Sequence, residues 1–171
     1  RFAGFDMRRD QFVQTGGGDF FRRATLKLCS SLDIEKALLN CLSYLGIHLP
    51  AFEMLLLVID PKLRLVHNIA TVDLHGIRKA FPPKYVSEDA IARINYDAAA
   101  WQEVKILDRL DLHPAGWILS DHVNLSTTSL MYMNLVIEGT GLGSVVFLAE
   151  GKGTFKKSHA NLISQLREPF C

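Results

Sequence analysis

Met54-Leu-Leu-Leu-Val-Ile59, stopped at once by Asp60-Pro61-Lys62, is the stretch on which the fold turns. The apolar run has the length of a strand and falls far short of the roughly 20 residues that cross a bilayer. Asp-Pro is turn chemistry: proline presets φ, and the aspartate side chain bonds amides just downstream. Beyond it, Leu63 to Val72 alternates loosely and reads as the return strand of a hairpin. A second hairpin lies late in the chain, Ser129 to Glu138 and Leu142 to Glu150, joined across Gly139-Thr140-Gly141. Strands joined this way pair antiparallel. The two hairpins therefore predict an antiparallel sheet.

Helical signals flank that sheet on both sides. Gly16-Gly17-Gly18 reads as a stop, which predicts a flexible lead over 1–18 and a folded domain over 19–171. Asp19 then suits an N-cap, and Phe21, Ala24, Thr25, Leu28 and Leu32 follow at helical spacing over about 20–31. Phe20 and Leu26 fall off that stripe and are expected to be exposed. Asp33 caps a second helix whose stripe is Ile34, Ala37, Leu38, Cys41, Leu42 and Leu45, and Pro50 closes it. After the first hairpin come a Pro82-Pro83 loop, a helix capped by Ser87 carrying Ala90, Ile91, Ile94, Ala98 and Trp101, and a short strand from Glu103 to Leu107. Residues 108–128 are irregular. Thr154 is expected to cap the last helix, with His159, Leu162, Ile163 and Leu166 on one face. Amphipathic helices at both ends must bury their stripes on one sheet face. The insert between the hairpins, 73–128, is left to cover the other. The fold class is α+β, with a central antiparallel sheet, terminal helices on one face and a helix/loop insert over the second. A long segment crossing a sheet is one way to build a ligand pocket.

Composition narrows the functions. A length of 171 residues fits one domain, and 49% apolar against 22% charged residues supports a real core. Nineteen basic and 18 acidic residues leave a net charge of +1, too little field to hold a polyphosphate backbone, so nucleic acid is not an expected partner. No signal pattern opens the chain and no membrane span is expected. The three cysteines, Cys29, Cys41 and Cys171, are scattered and odd in number, which points to a reducing compartment, the cytoplasm. With no initiator Met and a helical stripe still running at Leu166, the chain is expected to be part of a longer protein continuing past Cys171.

No catalytic or metal-binding constellation stands out. The six histidines show no ligand spacing; His113 and His122, beside Asp111 and Asp121, make the best pair and read better as ordinary loop contacts. No Gly-x-Ser-x-Gly elbow or Ser-x-x-Lys is present. Gly139-Thr-Gly-Leu-Gly143 has the look of a phosphate loop, but a strand follows where a helix would have to open, so it is a hairpin turn. The better functional signal is on the fourth main strand. Met131, Met133, Leu135 and Ile137 share one face; Leu130, Tyr132, Asn134 and Val136 share the other. Two hydrogen-bonding groups on an apolar face fit a ligand wall. They fit equally a face that the insert buries by local hydrogen bonds. Tyr96, Trp101, Trp117 and His122 are the insert's candidates for the opposing wall, giving six candidate ligand-binding residues with Tyr132 and Asn134.

Phe20-Phe-Arg-Arg-Ala-Thr-Leu-Lys-Leu-Cys-Ser-Ser-Leu-Asp-Ile-Glu-Lys-Ala-Leu39 resembles the opening of GAF domains, which are related to PAS domains. Gly143-Ser-Val-Val-Phe-Leu-Ala-Glu-Gly-Lys-Gly-Thr-Phe155 resembles their final strand and the turn after it, and His159 to Phe170 resembles their exit helix. The ending Leu166-Arg-Glu-Pro-Phe170 is similar to GAF domains that precede AAA+ ATPase domains in bacterial activators of the nitrogen-type sigma factor. The resemblance covers about 19–170. It implies a regulatory small-molecule-sensing domain, a homodimer through terminal helices, and a fused downstream effector; it does not imply an enzyme. The Asn-Lys-x-Phe pattern of cyclic-nucleotide binders has no counterpart here. Neither do the insert cysteines of bilin-binding members and of free-methionine-sulfoxide reductases. No cofactor is assigned and the ligand is not readable. A stand-alone enzyme on this scaffold and a dimerisation spacer without ligand remain the alternatives.

Overall fold

In the computed structural model, which describes residues 11–91, 103–113, 116–138 and 140–170, the first helix, α1 (Gln11–Leu28), runs through Gly16–Gly18 without a break. Glycine raises the cost of a helix by about 1 kcal/mol relative to alanine but does not block its geometry. The expected stop at these glycines is therefore corrected, while residues 1–10 lie outside the described residues. Asp19 caps nothing; it lies inside α1 and pairs with Arg23 one turn on, Nε to Oδ2 at 3.0 Å. The buried stripe of α1 is also one residue away from the expected one. Phe20 and Ala24 are buried, Leu28 packs beside them, and Phe21 and Leu26 are exposed. Because residues advance about 100° around a helix, starting the stripe at Phe20 turns Phe21 outward. Phe20 is held by Tyr44 of the second helix, 6.0 Å between rings, and by His48 just after it, 5.1 Å away.

That second helix, α2 (Ile34–Leu45), forms as its sequence dictates. Asp33 Oδ1 accepts from the amides of Glu35 (3.1 Å) and Lys36 (3.2 Å), satisfying donors that the first turn leaves free. Those bonds hold the Asp33 pKa below its ordinary value. Ala37, Leu38, Cys41, Leu42 and Leu45 are buried; Ile34, the first residue of the stripe, is exposed.

The strands are β1 (Glu53–Asp60), β2 (Leu65–Asp73), β3 (Gly76–Arg78), β4 (Lys84–Tyr85), β5 (Lys105–Leu107), β6 (Thr128–Ile137) and β7 (Thr140–Glu150). They form one sheet in the order β3-β2-β1-β7-β6-β5, with β4 on the outer edge of β2, and every pairing is antiparallel. The first and last long strands, β1 and β7, meet in the middle. Asp60 Oδ1 shapes the first turn by accepting from the amides of Lys62 (2.9 Å) and Leu63 (3.0 Å). At Gly143 the β1 backbone passes so close that a Cβ would overlap the Leu57 carbonyl, so only glycine fits.

Two cores result, one per face. On the helix face, α1, α2 and the C-terminal helices α4 (Lys157–Ser164) and α5 (Arg167–Phe170) cover Met54, Val72, Met131, Met133, Val145 and Phe147. The insert, with one helical turn α3 (Gly116–Leu119), covers Leu55, Leu57, Val66, Leu130, Val146 and Leu148. This is the α+β architecture expected, with the strand faces divided as predicted. The last helix starts later than expected. Thr154 Oγ1 donates to the carbonyls of Glu150 and Gly151, closing a turn, and it is His159 Nδ1 that reaches back to accept from the Lys156 amide at 3.1 Å.

Candidate functional site

Along β1 the residues facing the insert are Glu53, Leu55 and Leu57; the first occupies a core position with a carboxylate. Glu53 is only 6% exposed. Burying a carboxylate is costly unless it is bonded, and its partner is His122, Nε2 to Oε1 at 2.8 Å. His122 arrives from the loop after α3, 69 positions along the chain. Its neighbour Asp121 accepts from Lys84 Nζ at 2.8 Å, and the Phe81 ring sits beside both, 5.7 Å from the His122 ring and 5.6 Å from Lys84 Nζ. Two consecutive residues thus fasten the loop to the sheet, Asp121 to β4 and His122 to β1.

Between this loop and the end of the sheet lies a cleft of about 790 Å³. Phe52, Glu53 and Asp73 contribute from the sheet, His122 to Asn124 and Ser126 to Thr128 from the loop, and Arg78, Glu150 and Lys152 complete the lining. Glu53 and Asp73 are directly opposite across the β1–β2 pair. Like charges in that position repel, and each carboxylate has its own polar contact: Glu53 bonds to His122, and Asp73 Oδ2 pairs with Arg78 Nε at 3.0 Å. The loop wall is built locally. Asn124 Oδ1 accepts from the Ser126 amide (3.0 Å) and hydroxyl (2.7 Å), and the Gly151 amide donates to the Thr127 carbonyl (2.8 Å), tying loop to β7. The volume lies within the range of small-molecule sites, and the mixed polar and apolar lining suits an organic ligand.

No protein-family profile and no curated protein sequence matches the chain. Solved structures do. The GAF domain of a phosphoenolpyruvate-protein phosphotransferase from Coxiella burnetii is similar at a TM-score of 0.62 and 17% identity, over 90% of this chain and 89% of that one. The phycocyanobilin-bound GAF domain of a cyanobacterial phytochrome is similar at 0.61 and 13%, over 90% of each chain. Free methionine-R-sulfoxide reductase from Neisseria meningitidis, in complex with its substrate, gives 0.60 and 15%, over 99% of this chain and 90% of that one.

The chain has the GAF fold. Within it, the four described residues among the six singled out by sequence do not share one cleft. His122 lines the cleft. Trp117 lies in a separate groove of about 490 Å³ with Ser87, Ala90, Leu110 and Asp111, where the paired Arg109 guanidinium holds the Asp111 carboxyl below the usual range. Tyr132 packs into the apolar cluster under the insert. Asn134 is buried and accepts from the Ser144 hydroxyl at 2.7 Å, its cross-strand neighbour. Neither Trp117, Tyr132 nor Asn134 lines the cleft that His122 lines. Tyr96 and Trp101 lie outside the described residues. Sequence reasoning missed Glu53, Asp73 and Arg78. The available signal was phase: Glu53 alternates with Met54 exactly as Leu55 does, so it belongs on an inward face.

Among the described residues no group of His, Cys, Asp and Glu is arranged to hold a metal ion, and no helix is long and apolar enough to cross a membrane. Cys41 is buried in the helix-face core, which pushes its thiol up to about 12, and Cys29 follows α1 at the surface. Neither lines the cleft.

Proposed function

We propose that this chain is a cytoplasmic small-molecule-sensing and dimerisation domain of a bacterial signalling protein, controlling a fused AAA+ transcription activator. The observation that carries the reading is the cleft between sheet and insert. It has the size of a metabolite site, and its buried Glu53 is held by a residue of the loop that covers it. A ligand there touches sheet and loop together, and can bias the loop only by binding its two arrangements unequally. The AAA+ assignment draws on the resemblance of Leu166–Phe170 to domains that precede such ATPases. The helices near both chain ends share one face of the sheet, α5 against α1, so a shift there can pass to a fused domain. For the dimer, Phe21 and Leu26 leave apolar surface exposed on α1. The position of the two described thiols, outside the cleft, supports sensing over thiol chemistry.

Thermal unfolding against a metabolite panel tests the reading, since a ligand that binds only the folded state raises its stability by mass action. Saturable stabilisation by an unaltered metabolite is the expected result. Turnover of the stabilising compound would replace the sensor by an enzyme, and no stabilisation across the panel would contradict both. Sedimentation at micromolar concentration should give a dimer that Phe21→Glu weakens without unfolding the domain; a monomer for the unaltered chain contradicts the helix-mediated dimer.

A further inference from the structure

We infer that the cleft selects an amino-acid-like zwitterion, its ammonium on Glu53 and its carboxylate toward Lys152. The inference rests on the sensor reading and adds the chemical class of its ligand. Glu53 is more than nine-tenths buried, yet it lines the cleft, and His122 is its one hydrogen-bonding partner among the described residues, engaging Oε1 alone. The imidazole supplies a full counter-charge only when both ring nitrogens carry protons. Oε2 is left for a donor that enters the cleft. A carboxylate in such a place rewards a cation that brings its own charge and hydrogens, and repels an anion.

The other charges of the cleft differ in their pairing. Asp73 is committed to Arg78 at 3.0 Å, so its charge is locally compensated. Glu150 and Lys152 are exposed beside the turn at Gly151, whose φ of 85° suits glycine; neither takes part in an ion pair among the described residues, though the Lys152 charge also acts on Asp111. Glu53 therefore gives the cleft a buried negative charge, Arg78 is taken up by Asp73, and Lys152 supplies an exposed ammonium. A molecule with one positive and one negative group matches Glu53 and Lys152. Phe52 and Val123 add apolar lining, suited to a short hydrocarbon side chain. A simple dicarboxylate would place one negative charge against Glu53, and an alcohol would leave that charge uncompensated.

The test uses the whole chain and the twenty standard amino acids, read first by thermal unfolding and then by calorimetry. At least one should stabilise the protein saturably. Its N-acetyl derivative, which lacks the ammonium, should bind at least tenfold more weakly, and the corresponding amine lacking the carboxylate should lose a smaller factor, about threefold. Glu53→Gln keeps the side-chain shape and an oxygen for His122, and should cost at least tenfold in affinity; Lys152→Ala should cost about threefold. An N-acetyl derivative that binds equally well, or unchanged affinity in Glu53→Gln, overturns the assignment. Stabilisation by mono- or dicarboxylates but by no amino acid overturns the ligand class and leaves the sensor reading standing. Stabilisation by none of these or of a wider metabolite panel overturns both. Should Glu53→Gln fail to fold, Glu53→Asp decides: it keeps the charge but withdraws it by one methylene, and undiminished binding there contradicts direct contact.

Discussion

The two faces of this sheet are built from the same strands and differ in what they bury. On the helix face the core is mostly apolar, with Leu42, Leu45, Met54, Met133 and Phe147 inaccessible to solvent; its polar exceptions are Ser129, which donates to Asp108, and the buried Thr25 Oγ1 and Arg167 nitrogens Nε and Nη2, which have no partner among the described residues. The insert face carries Leu55, Leu57, Val146 and Leu148 in its middle but turns polar along β1 and β2. Glu53 and Thr71 are buried there, Asp73 is paired to Arg78, and Asn68 donates to Thr71 Oγ1 at 2.7 Å while its own Oδ1 is buried without a partner among the described residues. A closed apolar face contributes stability; a face with bonded charges beside an open cleft gives up some of it for recognition. On the reading proposed above, the helices hold the fold and the insert face meets the ligand.

Substitutions on the two faces should therefore differ in kind. Leu42→Ala on the helix face has the largest expected effect, a loss of about 2–5 kcal/mol in denaturant unfolding, because it removes a buried side chain and leaves a cavity; Leu38→Ala should fall in the same range. Either variant unfolding like the parent, while its association changes, would show α2 to be an interface rather than a core element. His122→Ala on the insert face should cost less, about 1–3 kcal/mol, the penalty for a buried acceptor left without its donor. A loss as large as that of Leu42→Ala would mean that the latch is structural and that the two faces are not distinct in role.

The smallest effect concerns pH and the far end of the helix face. Burial, followed by the nearby Lys156 charge, holds the His159 pKa below its ordinary value of about 6.5. The folded state thus favours the unprotonated ring, whose Nδ1 accepts from the Lys156 amide. The contribution is complete above the ordinary imidazole pKa and is lost as pH falls through the lower folded one. Unfolding free energy followed from pH 7.5 to 5, roughly the range over which imidazoles titrate, should decline less in His159→Gln than in the parent. Equal slopes would show that this ring is not linked to folding.

The sequence disclosed the architecture well and the site poorly, for one physical reason. Periodicity and capping are local, and they located α2 with its Asp33 cap, the turn at Asp60 and the alternating faces of β6. Burial of a given side chain depends on what returns to cover it. Phe20 reads as exposed when Phe21, Ala24, Thr25 and Leu28 are taken as the buried stripe; its true face is set by Tyr44 on α2 and by His48 just beyond the end of α2. Glu53 looked like the polar border of a strand, and only the return of His122 makes it a buried, cleft-lining charge. His122 was legible as a candidate because it is polar in an irregular insert. Its partner was not, since nothing near Glu53 in the chain marks it.

Backbone amide chemical-shift mapping tests the central claim most directly, using the amino acid that stabilises the protein most in the thermal screen. The account predicts saturable shifts concentrated at the end of β2 and in β3, in the loop from His122 to Thr128, and at Glu150 to Lys152, with the buried centre of α2 little changed. Shifts centred on α1 and α2 with none in the His122 loop, or no saturable shifts with any of the twenty amino acids, would contradict it.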